Sequence, residues 1–126
     1  MQEIVKKYVD GARDDLAAAE ALVNAGHLFH VPYLCHQAVF KLLRGFYLEM
    51  LNRYPLFEPH LPTLASAAGA AAQLTPDDLA LLHELSFYPD VVGHSVYRQK
   101  ILEHAKDANR ILARATEIVD KLTAVL

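Results

Sequence analysis

The chain has 126 residues, 53% of them hydrophobic, and a formal net charge of −3. Residues 1–126 are therefore read as one domain of ordinary size, with apolar material for a core and no room for a second domain of similar size. The negative balance excludes the broad attraction to phosphate backbones that a strongly basic surface exerts, so any nucleic-acid contact must be local.

The first predicted element is an amphipathic helix over about Glu3 to Ala25, where Val5, Val9, Ala12, Leu16, Ala19 and Val23 recur at helical spacing. Gly26 follows, where a helix ending in a left-handed residue prefers glycine. After a short connection, Pro32 suits the first turn of a second helix reaching about Asn52. On that helix Cys35, Val39, Leu42, Phe46 and Met50 form one apolar stripe, and Phe40, Leu43, Tyr47 and Leu51 form another. Only Gln37, Lys41 and Arg44 face away. A helix so apolar is either the centre of a bundle or also meets another subunit, and a homodimer is the default expectation.

Pro55 and Pro59 end the second helix. A third is expected from His60 to about Ala72, and a fourth from Pro76 to Ser86. Thr75 caps the fourth, with Pro76 in its first turn and Asp77 and Asp78 where the helix dipole favours carboxylates. With Ser95 as N-cap, the last helix runs to the carboxyl terminus. On it Ile101, Ala108, Ala115 and Leu122 form one series of equivalent heptad positions, His104, Ile111, Ile118 and Val125 a second, and Ala105, Leu112, Val119 and Leu126 a third. No segment alternates with period two, so the expected fold is all-α: an antiparallel up-and-down helical bundle of about five helices.

No uncharged run reaches the ~18 residues that span a bilayer, and MQEIVKKYVDGARDD lacks the apolar core of a signal peptide. A soluble, cytoplasmic protein is expected, in keeping with a single cysteine, Cys35, read as a small buried hydrophobe. His27 and His30 lack the acidic neighbours of a recognised ligand motif, so no metal and no cofactor is expected. Lys106, Arg110 and Arg114 form a basic ridge on the last helix, but Glu103, Asp107 and Glu117 flank it, which favours a self-paired, solvated face.

Taken together, Ala12-Arg13-Asp14-Asp15-Leu16 with Ala19-Glu20, Gly26, Cys35-His36-Gln37-Ala38-Val39 with Lys41, His60-Leu61 with Leu64, and Tyr88-Pro89-Asp90 before a long final helix resemble the HEPN domain family. The likeness extends over nearly the whole chain, and its most specific part is His36-Gln37-Ala38 with Lys41. The resemblance implies an antiparallel helical bundle that commonly dimerises through its long helices, and a role around nucleotides and RNA. Some members are metal-independent ribonucleases acting as toxins, some accompany a small nucleotidyltransferase, and others bind without catalysis. It points to His36, Gln37, Lys41, Tyr88 and Asp90 as candidate ligand contacts.

Ribonuclease activity in the family goes with an arginine followed a few residues later by histidine. Here Phe87 stands where arginine often precedes the Tyr-Pro-Asp stretch, and His94 lies where the histidine would be. Phenylalanine can neither move a proton from a ribose 2′-hydroxyl nor stabilise charge on phosphate. Phe40 likewise replaces the family's usual glutamate. Arg53 and His60 match the spacing formally, but across two prolines. The leading expectation is thus a dimeric, catalytically degenerate module that binds a nucleotide or nucleic acid or partners a small nucleotidyltransferase in a toxin–antitoxin-like pair. The alternatives are a metal-independent RNase using His94 with Tyr97 and Arg98 as catalytic residues, and a structural association module without ligand.

Overall fold

The structure, a computed structural model, describes residues 1–55, 57–86, 103 and 105–126. Among these the regular elements are helices α1 (Glu3–Asn24), α2 (Val31–Leu51), α3 (Leu61–Ala68), α4 (Pro76–Leu85) and α5 (Ala108–Val125), with one 3₁₀ turn at Ala71–Gln73 and no strand. The expected all-α bundle is the observed one.

Helix α1 buries Val5, Val9, Ala12, Leu16 and Ala19, the stripe its spacing dictates, while Val23 is only half-buried. It stops where its last carbonyls find partners outside the helix. Gly26, at φ +77°, donates to the Val23 carbonyl at 3.0 Å, and the next amide, His27, donates to Leu22 at 2.8 Å. The chain then turns back and α2 lies along α1. Helix α2 packs against α1, α3, α4 and α5, and Cys35, Ala38, Val39, Leu42, Leu43 and Phe46 are buried in the core they share. Of the two ways to bury so apolar a helix, the chain itself supplies the first: α2 is the central helix. Met50, assigned above to its apolar stripe, is 44% exposed in the final turn, although Leu51 beside it packs against the core.

Close approach of α1 to α2 depends on Gly45. A Cβ there would lie 2.8 Å from the Cβ of Tyr8, an atom fixed to the α1 backbone. Gly45→Ala is therefore expected to lower stability by about 1–2 kcal/mol, because overpacking at such a contact outweighs the gain in helix propensity. Urea denaturation checks this; a midpoint at or above wild type would mean that the two helices do not touch here.

Helix α3 is shorter than its alanine-rich sequence suggests. Gly69 adopts φ +77°, the Ala70 amide turns back to the Ala65 carbonyl at 2.9 Å, and the chain resumes as the 3₁₀ turn. At its other end the Leu61 amide donates to Ser86 Oγ at 2.9 Å, and Ser86 in turn donates to the Leu82 carbonyl at 2.7 Å, tying the start of α3 to the end of α4. Helix α4 begins with the expected cap in its reciprocal form: Thr75 Oγ1 accepts from the Asp78 amide at 3.1 Å, and Asp78 Oδ2 accepts from the Thr75 amide at 3.0 Å.

Along α5, Ala108, Ile111, Ala115, Ile118, Val119 and Leu122 are buried, whereas Val125 is 42% exposed in the last turn. Two residues of the basic ridge are paired, each both across helices and along α5: Arg110 reaches Glu84 of α4 at 2.9 Å and Asp107 at 3.6 Å, and Arg114 reaches Asp78 at 3.7 Å and Glu117 at 3.5 Å. The proposed Ser95 cap, and Ile101 and His104 of the heptad series, lie outside the described residues. No helix among the described residues is long and apolar enough to cross a membrane.

Candidate functional site

The polar strip of α2 does not simply face water. Gln37, Lys41 and Arg44, one helical turn apart, line a groove of about 480 Å³ together with Phe40 and with Ile4, Lys7, Tyr8 and Gly11 of α1. Among the described residues its wall carries three cations, Lys7, Lys41 and Arg44, and no carboxylate. A positive concavity on a chain whose net charge is −3 is a local departure from the overall field.

Each cation is held differently. The Arg44 guanidinium carbon lies 5.6 Å from the ring centroid of Tyr8 and 5.5 Å from that of Phe40, within the range of cation–π attraction. Its Nε is shielded from solvent with no hydrogen-bond partner among the described residues. Lys41 lies across α1 at Gly11, where an added Cβ would come to 3.3 Å from the lysine Cδ, and its ammonium meets Asp15 Oδ2 at 2.8 Å. Lys7 is exposed at the rim. Gln37 is oriented from one turn away, where its Nε2 donates to the Tyr33 hydroxyl at 2.7 Å.

Of the residues singled out from sequence, Gln37 and Lys41 thus come together in the groove. His36, their neighbour in the chain, turns the other way: it is 1% exposed, its Nε2 is 2.9 Å from the Pro59 carbonyl oxygen, and its ring stacks on Phe40 at 5.9 Å. It thereby links α2 to the connection before α3 and supports the groove wall from behind. Tyr88, Asp90, His94, Tyr97 and Arg98, with Phe87, lie outside the described residues. Arg53 is exposed, and His60 is engaged locally, its Nδ1 2.7 Å from Thr63 Oγ1 and its ring edge-on to His83. Lys7 and Tyr8 were missed because they sit far away in the chain; the interior glycines Gly11 and Gly45, which signal close helix approach, could have pointed to them.

Other chemistry is scarce among the described residues. Burial pushes the Cys35 thiol up to about 12, so it is an inert thiol in the core. His27 and His30 rim a second hollow at the turn between α1 and α2, and no group of three metal-ligating side chains occurs among the described residues.

A family model described as HEPN domain matches residues 5–125. The chain belongs to the HEPN domain family. Comparison with curated proteins and with solved structures returned no match. HEPN membership accounts for the all-α bundle and suggests a nucleotide- or RNA-related module or an RNase. Within this HEPN domain, Gln37 and Lys41 of α2 lie on the groove and His36 lies behind it.

Proposed function

We propose that this HEPN domain is a binding module, catalytically degenerate at Phe87, that receives the phosphate of a nucleotide or nucleic acid in the groove between α1 and α2. The observation that carries this reading is the groove wall: among the described residues it holds three cations without a carboxylate, beside the rings of Tyr8 and Phe40. Arg44 is its centre, because a guanidinium held between two rings keeps its outer N–H groups free for the forked contact that phosphate oxygens favour. The volume lies within the range typical of small-molecule pockets. The module forms a homodimer, as the family commonly does, and partners a small nucleotidyltransferase in a toxin–antitoxin-like pair, as some of its members do.

Calorimetric titration of the full chain with ATP or a short RNA tests the groove. Arg44→Gln is expected to weaken binding by about tenfold or more, the effect of removing one charge-assisted contact. Binding unchanged in that variant would place the ligand elsewhere. Metal-independent RNA cleavage that is lost in His94→Ala would replace this reading with the RNase one, and a monomer at micromolar concentration would remove the dimer.

A further inference from the structure

The groove is not as positive as its wall alone implies, because Asp15 stands behind it with one oxygen 2.8 Å from the Lys41 ammonium. The Asp15 side chain is 17% exposed and that of Lys41 is 42% exposed, so the carboxylate is the sheltered member and the ammonium is the one that can reach outward. Counting Asp15 against Lys7, Lys41 and Arg44, the groove carries +2, and the rest of the chain carries −5 to give the total of −3. An extended nucleic-acid backbone leaves the groove for a chain that is otherwise net acidic. A compact dianion stays inside the groove and matches its charge.

Resting on the binding reading above, we propose that the ligand is a terminal phosphate, a phosphomonoester dianion, and that Asp15 acts as an internal counter-ion restraining its affinity. The phosphate shares the Lys41 ammonium with Asp15 and takes its remaining contacts from Arg44 and Lys7. An internal phosphodiester, with a single charge, gains less from the same cations and cannot draw Lys41 away from a carboxylate of equal charge. The same terminal phosphate is found on a free nucleotide and on the 5′-phosphorylated end of an RNA, and the probes below separate the two.

The experiment titrates the full chain with 5′-AMP, with 3′,5′-cyclic AMP, and with an RNA tetranucleotide with and without a 5′-phosphate. The wild type is expected to bind 5′-AMP about tenfold more tightly than the cyclic diester, and the phosphorylated RNA more tightly than the unphosphorylated one. The tighter of 5′-AMP and phosphorylated RNA identifies the source. Asp15→Asn, nearly isosteric, is expected to tighten 5′-AMP binding about fivefold, and the cyclic diester by less. Equal affinity for monoester and diester overturns the proposal, with no variant needed, and so does weaker 5′-AMP binding in a folded Asp15→Asn protein. If these ligands bind without preference yet are all weakened by Arg44→Gln, the groove stands and only the ligand class falls. If none binds, or Arg44→Gln changes nothing, the groove reading falls and the proposal with it.

Discussion

Phe46→Ala is expected to destabilise the protein by about 3–5 kcal/mol, the cost of emptying an aromatic side chain from a packed core. Phe46 is 2% exposed and is among the largest fully buried side chains. It sits on the helix that packs against α1, α3, α4 and α5, so no single neighbour can move in to fill the space without leaving another contact. A domain of this size has a total stability on the order of 10 kcal/mol, so a large share is at stake. Urea or thermal denaturation reads the loss. Met50→Ala, on the same helix but 44% exposed, serves as the control and is expected to change stability by less than about 1 kcal/mol. Comparable losses at both positions would mean that helix content, and not burial on α2, holds the bundle together.

The second large effect is expected at Asp78. This carboxylate is 3% exposed and closes the cap of α4 through the Thr75 amide. It also accepts a hydrogen bond from the Lys121 ammonium and faces Arg114 at 3.7 Å, so it joins α4 to α5. Asp78→Ala removes the cap acceptor and leaves two cations without their buried partner. Breaking a fully buried pair costs several kcal/mol, but Lys121 and Arg114 keep 37% and 31% of their side-chain surface in water. The expected loss is about 2–3 kcal/mol with the cap included.

Acid titration of stability separates the charge from the shape at this position. Burial by itself raises the Asp78 pKa, but hydrogen bonds from Lys121 and Thr75 and the Lys121 charge outweigh it and hold the carboxyl below its ordinary value. A group with a depressed folded value contributes fully above its unfolded pKa, near 3.9, and loses that contribution as pH falls through the folded value. The gap between wild type and Asp78→Asn should therefore be widest near neutral pH and close below about pH 4. A gap that stays constant down to pH 2 would show that the side chain acts by shape alone.

How far the sequence carried these conclusions depended on the range of the interaction involved. The stops at Gly26 and the cap at Thr75 are local, each needing only a few neighbouring residues, and both were legible. The stripes of α1, α2 and α5 were legible for the same reason, failing at Met50 and Val125, each in the final turn of its helix. Helix α3 was overextended because alanine periodicity continues through Gly69, whose left-handed backbone ends the helix. Half of the groove was visible as the polar strip Gln37, Lys41 and Arg44. The other half was not, since Lys7 and Tyr8 join it only when α1 folds back on α2. The inward turn of His36 was equally hidden, because its partner is a backbone carbonyl, at Pro59, that carries no side-chain signature.

The phosphate-bearing ligand proposed between α1 and α2 is tested most directly by amide and arginine side-chain NMR shifts of the full chain during titration with 5′-AMP. Saturable shifts are predicted for Lys7, Tyr8, Gly11, Lys41 and the Arg44 Nε–H group, with α4 and α5 little changed. Shifts that avoid these residues and gather on α4 and α5, or in the segment holding His94, would contradict the account.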